Sequence, residues 1–291
     1  MSAAAPPITS VAGHQAALEL LRAGLEDLTS SESWERWLRF RRRFHNYSFH
    51  NQILILRQFP EATQVAGYRT WQQMGRQVRR GERGIGVLAP VVRRPAESGA
   101  ASELHDLNLP PLSFRVVRVF DVSQTDGAPL PSPVQEFCDE GPEGALGDLW
   151  ALAGELGFAV ELAELRAGRR GDCSHALRRI RVDSRLAPGP LIKTLSHELA
   201  HAILHGPDFP GDRPLAELEA ESVAFVVCHH LGVDSSGYSF GYVASWAGIG
   251  QQAAVQISRS GARIAAAADR IQAAFRRHPV SSGEAGGAGV S

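Results

Sequence analysis

The chain has 291 residues, 44% hydrophobic and 21% charged, with a formal net charge of −1 at pH 7. Such a length and apolar content allow one large core or two modest ones, and two is the expected count. No apolar run approaches the length of a membrane span, the start lacks a basic stretch followed by an apolar one, and the three cysteines form no C-x-x-C pair. Membrane and disulfide-framed secreted classes are therefore set aside, and a cytoplasmic protein with no membrane partner is expected.

In chain order, residues 15–28, 34–44 and 48–59 read as helices, the third stopped before Pro60. Residues 63–68, 86–92 and 114–120 read as strands, with a short helix at 69–74 and a loop at 95–111. This first domain covers 8–125, and the Gly/Pro-rich stretch 126–134 reads as a linker. The second domain, 135–277, holds a helix at 145–156 and a strand at 158–162. A break at 169–172, a strand at 179–183 and helices at 191–204, 215–227 and 252–276 follow. Residues 278–291, rich in Gly, Ser and Ala, read as a disordered tail. The class is α+β: an N-terminal α+β domain joined to a mostly helical domain with a small sheet.

Charge is unevenly placed. Residues 1–95 hold 14 Arg against 7 Asp and Glu, a net +7; the rest holds 16 basic against 24 acidic groups, a net −8. Arg36, Arg39 and Arg43 recur on one helical face, and Arg76, Arg79, Arg80 and Arg83 crowd a turn-like stretch. With Tyr47, Tyr68 and Trp71 near in sequence, this suits a single nucleic-acid strand held by phosphate attraction and base stacking. A solvated arginine face accounts for the same composition.

The most specific motif is His197-Glu198-Leu199-Ala200-His201. On a helix the two histidines lie one turn apart on one face, close enough to share a tetrahedral metal. Glu198, offset by one residue, can serve as general base beside them without being a ligand. Leu195, Leu199, Ala202 and Ile203 supply an opposite apolar face. His205 continues the series, but eight residues at ~1.5 Å rise place it ~12 Å from His197, against a Zn–N bond of about 2 Å. Pro207 stands where the longer H-E-x-x-H pattern has a third histidine. The acidic cluster downstream is the better source. Glu217 and Glu221 share a face, Glu217 as third ligand and Glu221 orienting a ligand histidine, with the exchange of those two roles left open. Glu219 points the other way and reads as solvated. Cys173 is a weak nucleophile candidate, and His175, Tyr238 and Tyr242 are unranked oxyanion donors.

Two resemblances bear on function. His197-Glu198-Leu199-Ala200-His201 followed by Glu217-x-x-x-Glu221 is similar to the ImmA/IrrE type of gluzincin metallopeptidase, in which a glutamate completes the zinc site. Asn46-Tyr47-Ser48-Phe49-His50-Asn51-Gln52-Ile53-Leu54, Ala66-Gly67-Tyr68-Arg69-Thr70-Trp71 and the stretch from Gly75 to Ile85 together resemble the N-terminal domain of ArdC-type antirestriction proteins. That resemblance implies a single-stranded-DNA-binding domain, with Asn46, Tyr47, Asn51 and Trp71 beside the arginines as contact residues. The expectation is a single-stranded-DNA-binding antirestriction protein with a Zn2+-dependent endopeptidase domain acting on a protein or peptide. Its rivals are a non-proteolytic DNA-binding protein with a structural or vestigial zinc site, and a peptidase whose first domain binds protein.

Overall fold

A computed structural model describes residues 11–44, 46–90, 114–130, 141–233 and 251–275, without the side chains of 11–14, 42 and 251. The chain folds into two compact units. Unit 1 comprises 1–134, 210–222 and 237–266; unit 2 comprises 135–209, 223–236 and 267–291.

Unit 1 begins with α1 (Val11–Asp27), α2 (Ser31–Arg41) running into a 3-10 turn at Arg42–Phe44, and α3 (Phe49–Gln58). Ser48 caps α3, its side chain accepting from the Asn51 backbone N–H. In α2 the buried side chains are Trp34, Trp37, Leu38, Phe40 and Arg41, a stripe at helical spacing. Trp37 meets Trp34 and Phe49 edge-on, with ring centroids 5.1 and 4.9 Å apart.

Next come β1 (Val65–Gly67), α4 (Tyr68–Gln73), β2 (Arg76–Val78), β3 (Ile85–Pro90), β4 (Phe114–Asp121) and β5 (Thr125–Gly127). β4 is the centre of an antiparallel sheet ordered β1-β4-β3, with Val65 opposite Asp121 and Ile85 opposite Val119. Phe40, Phe44, Ile55, Ile85, Val87 and Val119 form the core between helices and sheet. β2 and β5 make a separate two-stranded ribbon, Arg76 opposite Gly127. Asp126 and Gly127 therefore belong to a strand, not to the linker expected from 126 onward. Three residues of ribbon are too short to display alternation in sequence, so Gly127 signalled only a turn.

Later segments complete this unit. α7 (Arg213–Leu231) contributes its residues up to Ser222, and α8 (Gln251–Phe275) its residues up to Ala266. Trp34 Nε1 donates to Ser222 Oγ at 2.9 Å, His50 Nε2 lies 2.7 Å from Ser258 Oγ, and Arg41 donates to the Ala265 carbonyl at 2.6 Å. Those buried polar groups explain why the units interleave where the sequence suggested simple succession: the early helices need acceptors that only later helices carry. Glu219, expected to be solvated, is 1% exposed and accepts from Ser260 Oγ at 2.8 Å and Arg263 Nε at 3.1 Å.

Unit 2 contains α5 (Ala145–Glu155), β6 (Ala159–Ala163), β7 (Gly171–Ser174), β8 (Arg179–Asp183) and α6 (Pro188–Leu204), with the ends of α7 and α8. Its sheet is ordered β6-β8-β7, β8 being parallel to β6 and antiparallel to β7. Ile180 and Val182 of β8 are fully buried, and α6 packs on β7 and β8. The break expected at 169–172 is instead where β7 begins. Residues 234–250, with Tyr238 and Tyr242, the loop at 95–111 and the tail lie outside the described residues. No helix among the described residues is long and apolar enough to cross a membrane.

Candidate metal centre and basic face

α6 starts three residues earlier than its periodicity alone indicates, because Pro188 and Pro190 are compatible with a helical first turn. Ile192, Leu195 and Leu199 bury one face, which leaves His197 and His201 half-buried on another. Their Nε2 atoms converge to 3.1 Å. Two nitrogens on one tetrahedral zinc, each at about 2.05 Å, stand about 3.3 Å apart, so this spacing suits a shared ion. Glu217, exposed on α7, adds a carboxylate: one donor atom from each of His197, His201 and Glu217 falls within 4.8 Å of the others. Arg213 Nε lies 3.5 Å from the Glu217 carboxylate, a loose exposed pair that a cation would outcompete. Glu221 is half-buried one turn further along the same helix.

Glu198 is 6% exposed. What makes room for it is Gly171, the first residue of β7: a Cβ there would stand 2.7 Å from Glu198 Oε1 and 2.7 Å from Thr194 Cγ2. The motif carboxylate is thus pressed against an edge strand. Asp172, next on β7, is clamped by Arg181 at 2.8 Å and Arg169 at 3.3 Å, which fixes the strand's outer end.

Burial first, then the charges of Glu198 and Asp172, pushes the Cys173 thiol up to about 12. That direction disfavours the thiolate a nucleophile would need. His175 Nε2 lies 3.0 Å from the His201 carbonyl, an acceptor, so that nitrogen is a donor already spent on the backbone. Through that nitrogen His175 braces the end of α6. His205, set aside as a ligand from its spacing, brings its Nδ1 2.9 Å from His201 Nδ1. Its spacing from His201 was visible, but not the direction its ring faces.

The proposed DNA contacts separate into two sets in unit 1. Arg36 and Arg39 are exposed and paired along α2 with Glu32 and Glu35 at 2.9 and 2.6 Å. Arg43, Asn46, Arg80 and Arg83 are exposed, as is Arg79, which pairs with Glu82 at 2.8 Å. Four others serve the fold. Asn51 uses its amide on both the N–H and the carbonyl of Leu88, at 2.8 and 2.9 Å. Trp71 is 1% exposed and donates to the Phe120 carbonyl at 2.8 Å. Arg76 is spent on Thr125, Oγ1 at 2.8 Å and the carbonyl at 3.0 Å. Tyr47, half-buried, donates to the Val65 carbonyl at 3.1 Å. Motif position alone could not separate these from surface groups. Tyr68 is the exposed aromatic instead, beside Arg79 and Arg80 in a cleft of about 580 Å³.

The fold and site together define a mixed helix-and-sheet protein with an H-E-x-x-H helix and a two-histidine, one-glutamate donor set. Residues 19–120 match the family model for the N-terminal domain of anti-restriction factor ArdC. The structure resembles the metal-free crystal structure of the antirestriction ArdC protein from R388 plasmid, with a TM-score of 0.56 and 19% identity over 89% of this chain and 98% of that one. Its Mn(II)-bound structure gives 0.55 and 20% over 90% and 97%. The chain therefore shares the ArdC fold along most of its length. An uncharacterized protein of Bacillus anthracis is 27% identical over 275 residues, 80% of this chain and 47% of that protein, so the chain spans about half the length of this curated relative.

Proposed function

We propose that the protein is an antirestriction-type protein that binds single-stranded DNA and carries a zinc-dependent endopeptidase site. One observation carries the enzymatic half: His197, His201 and Glu217 each bring a donor atom within 4.8 Å of the others, with Glu198 adjacent in sequence and pressed against the edge strand β7. Two imidazoles and a carboxylate suit zinc better than a cation that prefers all-oxygen ligands. The Mn(II) bound by the related ArdC protein supports a divalent cation at such a site.

Zinc held there supplies Lewis-acid activation of water and of a substrate carbonyl. The chain's own residues do the rest. An extended peptide pairs with the outer edge of β7, beside Glu198. Glu198 takes the proton from the attacking water and returns it to the departing amine. Glu221 is assigned to orienting the ligand set.

The related ArdC protein has a structure both without metal and with Mn(II), and this chain resembles the two equally. The DNA half rests on the ArdC-type match, the arginine excess and the exposed set Arg36, Arg39, Arg43, Asn46, Arg79, Arg80 and Arg83.

Glu198→Gln tests the enzymatic half. It should keep bound zinc and oligonucleotide affinity and lose cleavage of an unstructured protein substrate. Undiminished cleavage or cellular activity in this variant refutes the peptidase and leaves the non-proteolytic DNA-binding reading.

A further inference from the structure

We infer that His205 is a positioning residue for the metal centre: it accepts a hydrogen bond from His201 Nδ1–H and so fixes the tautomer in which His201 offers Nε2 to the ion. The inference rests on the metal reading above and concerns a residue that the motif does not include. His201 turns Nε2 toward His197, at 3.1 Å, and Nδ1 toward His205 Nδ1, at 2.9 Å. A neutral imidazole carries one proton, on one nitrogen or the other. A proton on Nε2 would block the metal-facing side. A proton on Nδ1 frees Nε2 and needs an acceptor, which His205 Nδ1 provides.

His205 is itself held in place. It ends α6, and its backbone N–H donates to the His201 carbonyl at 3.0 Å. The Phe209 ring meets it edge-on at 4.6 Å between centroids, which restricts its rotation. His175 Nε2 donates to that same His201 carbonyl from the β7–β8 turn. The carbonyl and the ring of His201 are thus both braced. This is the partner a ligating histidine requires on its outer nitrogen, commonly a carboxylate or a carbonyl and here a second imidazole. His205 Nδ1 is thereby turned to the outer nitrogen of His201.

The test compares three chains in full-length protein. His205→Phe keeps a ring against Phe209 and removes the acceptor. His205→Asn places an amide oxygen close to where Nδ1 stood. Zinc affinity, measured by competition with a chromophoric chelator, should fall about 10–100-fold in His205→Phe and recover most of that loss in His205→Asn. Thermal unfolding of the metal-free proteins should change little between the two variants. In zinc-loaded wild type, long-range 1H–15N spectra should show His201 protonated on Nδ1 and His205 unprotonated on Nδ1. Equal affinity of His205→Phe and wild type overturns the inference, as does an Asn variant no better than the Phe variant. A proton on His205 Nδ1 overturns it without any variant. Wild type that takes up no zinc overturns the metal reading and this inference together, whereas the preceding results overturn the inference alone.

Discussion

Gly171 shows how closely single residues are matched at this site. The space beside it is filled by Glu198 Oε1 and Thr194 Cγ2, both 2.7 Å from where a Cβ would stand. Gly171→Ala should therefore displace Glu198, cost about 1–3 kcal/mol of stability, and lower proteolysis at least about tenfold while zinc affinity holds. Thermal melts, peptide turnover and chelator competition read the three effects separately, and unchanged turnover would refute the proposed base. Asp183 offers a second residue-scale prediction. Hydrogen bonds from the Arg185 side chain and backbone hold its carboxyl down to about 2, from an ordinary 3.8. A depressed carboxylate contributes stability above its unfolded pKa and loses it as pH falls through the folded one. The gap in melting temperature between wild type and Asp183→Asn should be level near neutrality and close from about pH 4 to about pH 2. His197 and His201 were legible as neighbours because helical periodicity is local, whereas Glu217 comes from a second helix and only tertiary structure brings it near them. Glu219 was misread for the latter reason. Its direction, away from Glu217, followed from spacing, but what awaited it was Ser260 and Arg263, about forty residues on.

At the scale of elements, α3 and α8 approach as closely as they do because Gly261 has no side chain. A Cβ there would meet the Phe49 ring at 2.3 Å. In an isolated helix Gly→Ala gains up to about 1 kcal/mol, but overpacking a rigid aromatic costs about 1–3. Gly261→Ala should therefore destabilise the protein, and Gly261→Ala with Phe49→Leu should recover part of the loss; a stabilised single variant would contradict the packing. Element legibility followed length. The helices α2, α3, α5 and α6 announce themselves through stripes of buried residues and through caps such as Ser48. β2, β5 and β7, three or four residues each, are too short for an alternating pattern to emerge. Arg76 shows the consequence: as part of β2 it is a buried strut on Thr125, although its neighbours in sequence made it look like one more solvated cation.

For the whole molecule, charge is the property most open to experiment. If unit 1 engages phosphates through its exposed arginines, affinity for a labelled single-stranded oligonucleotide must fall with salt, each phosphate contact adding about 0.7 to the slope of log affinity against log salt. Arg80→Ala with Arg83→Ala should flatten that slope by up to about 1.4 by the same rule. A slope that is flat in wild type would favour a protein partner for this unit. The discontinuity of unit 1 has a different consequence. The stretch matched by the ArdC domain ends at residue 120, yet Trp34, His50 and Arg41 find their partners at Ser222, Ser258 and Ala265. On the ribosome, a nascent chain grown as far as residue 134 has its tryptophan-rich helices but not the segments that cover them. At 5–20 residues per second, residue 266 follows roughly 7 to 26 s later. Throughout that interval the aromatic side chains of those helices lack the segments that bury them in the folded protein, the kind of surface that holdase chaperones shield.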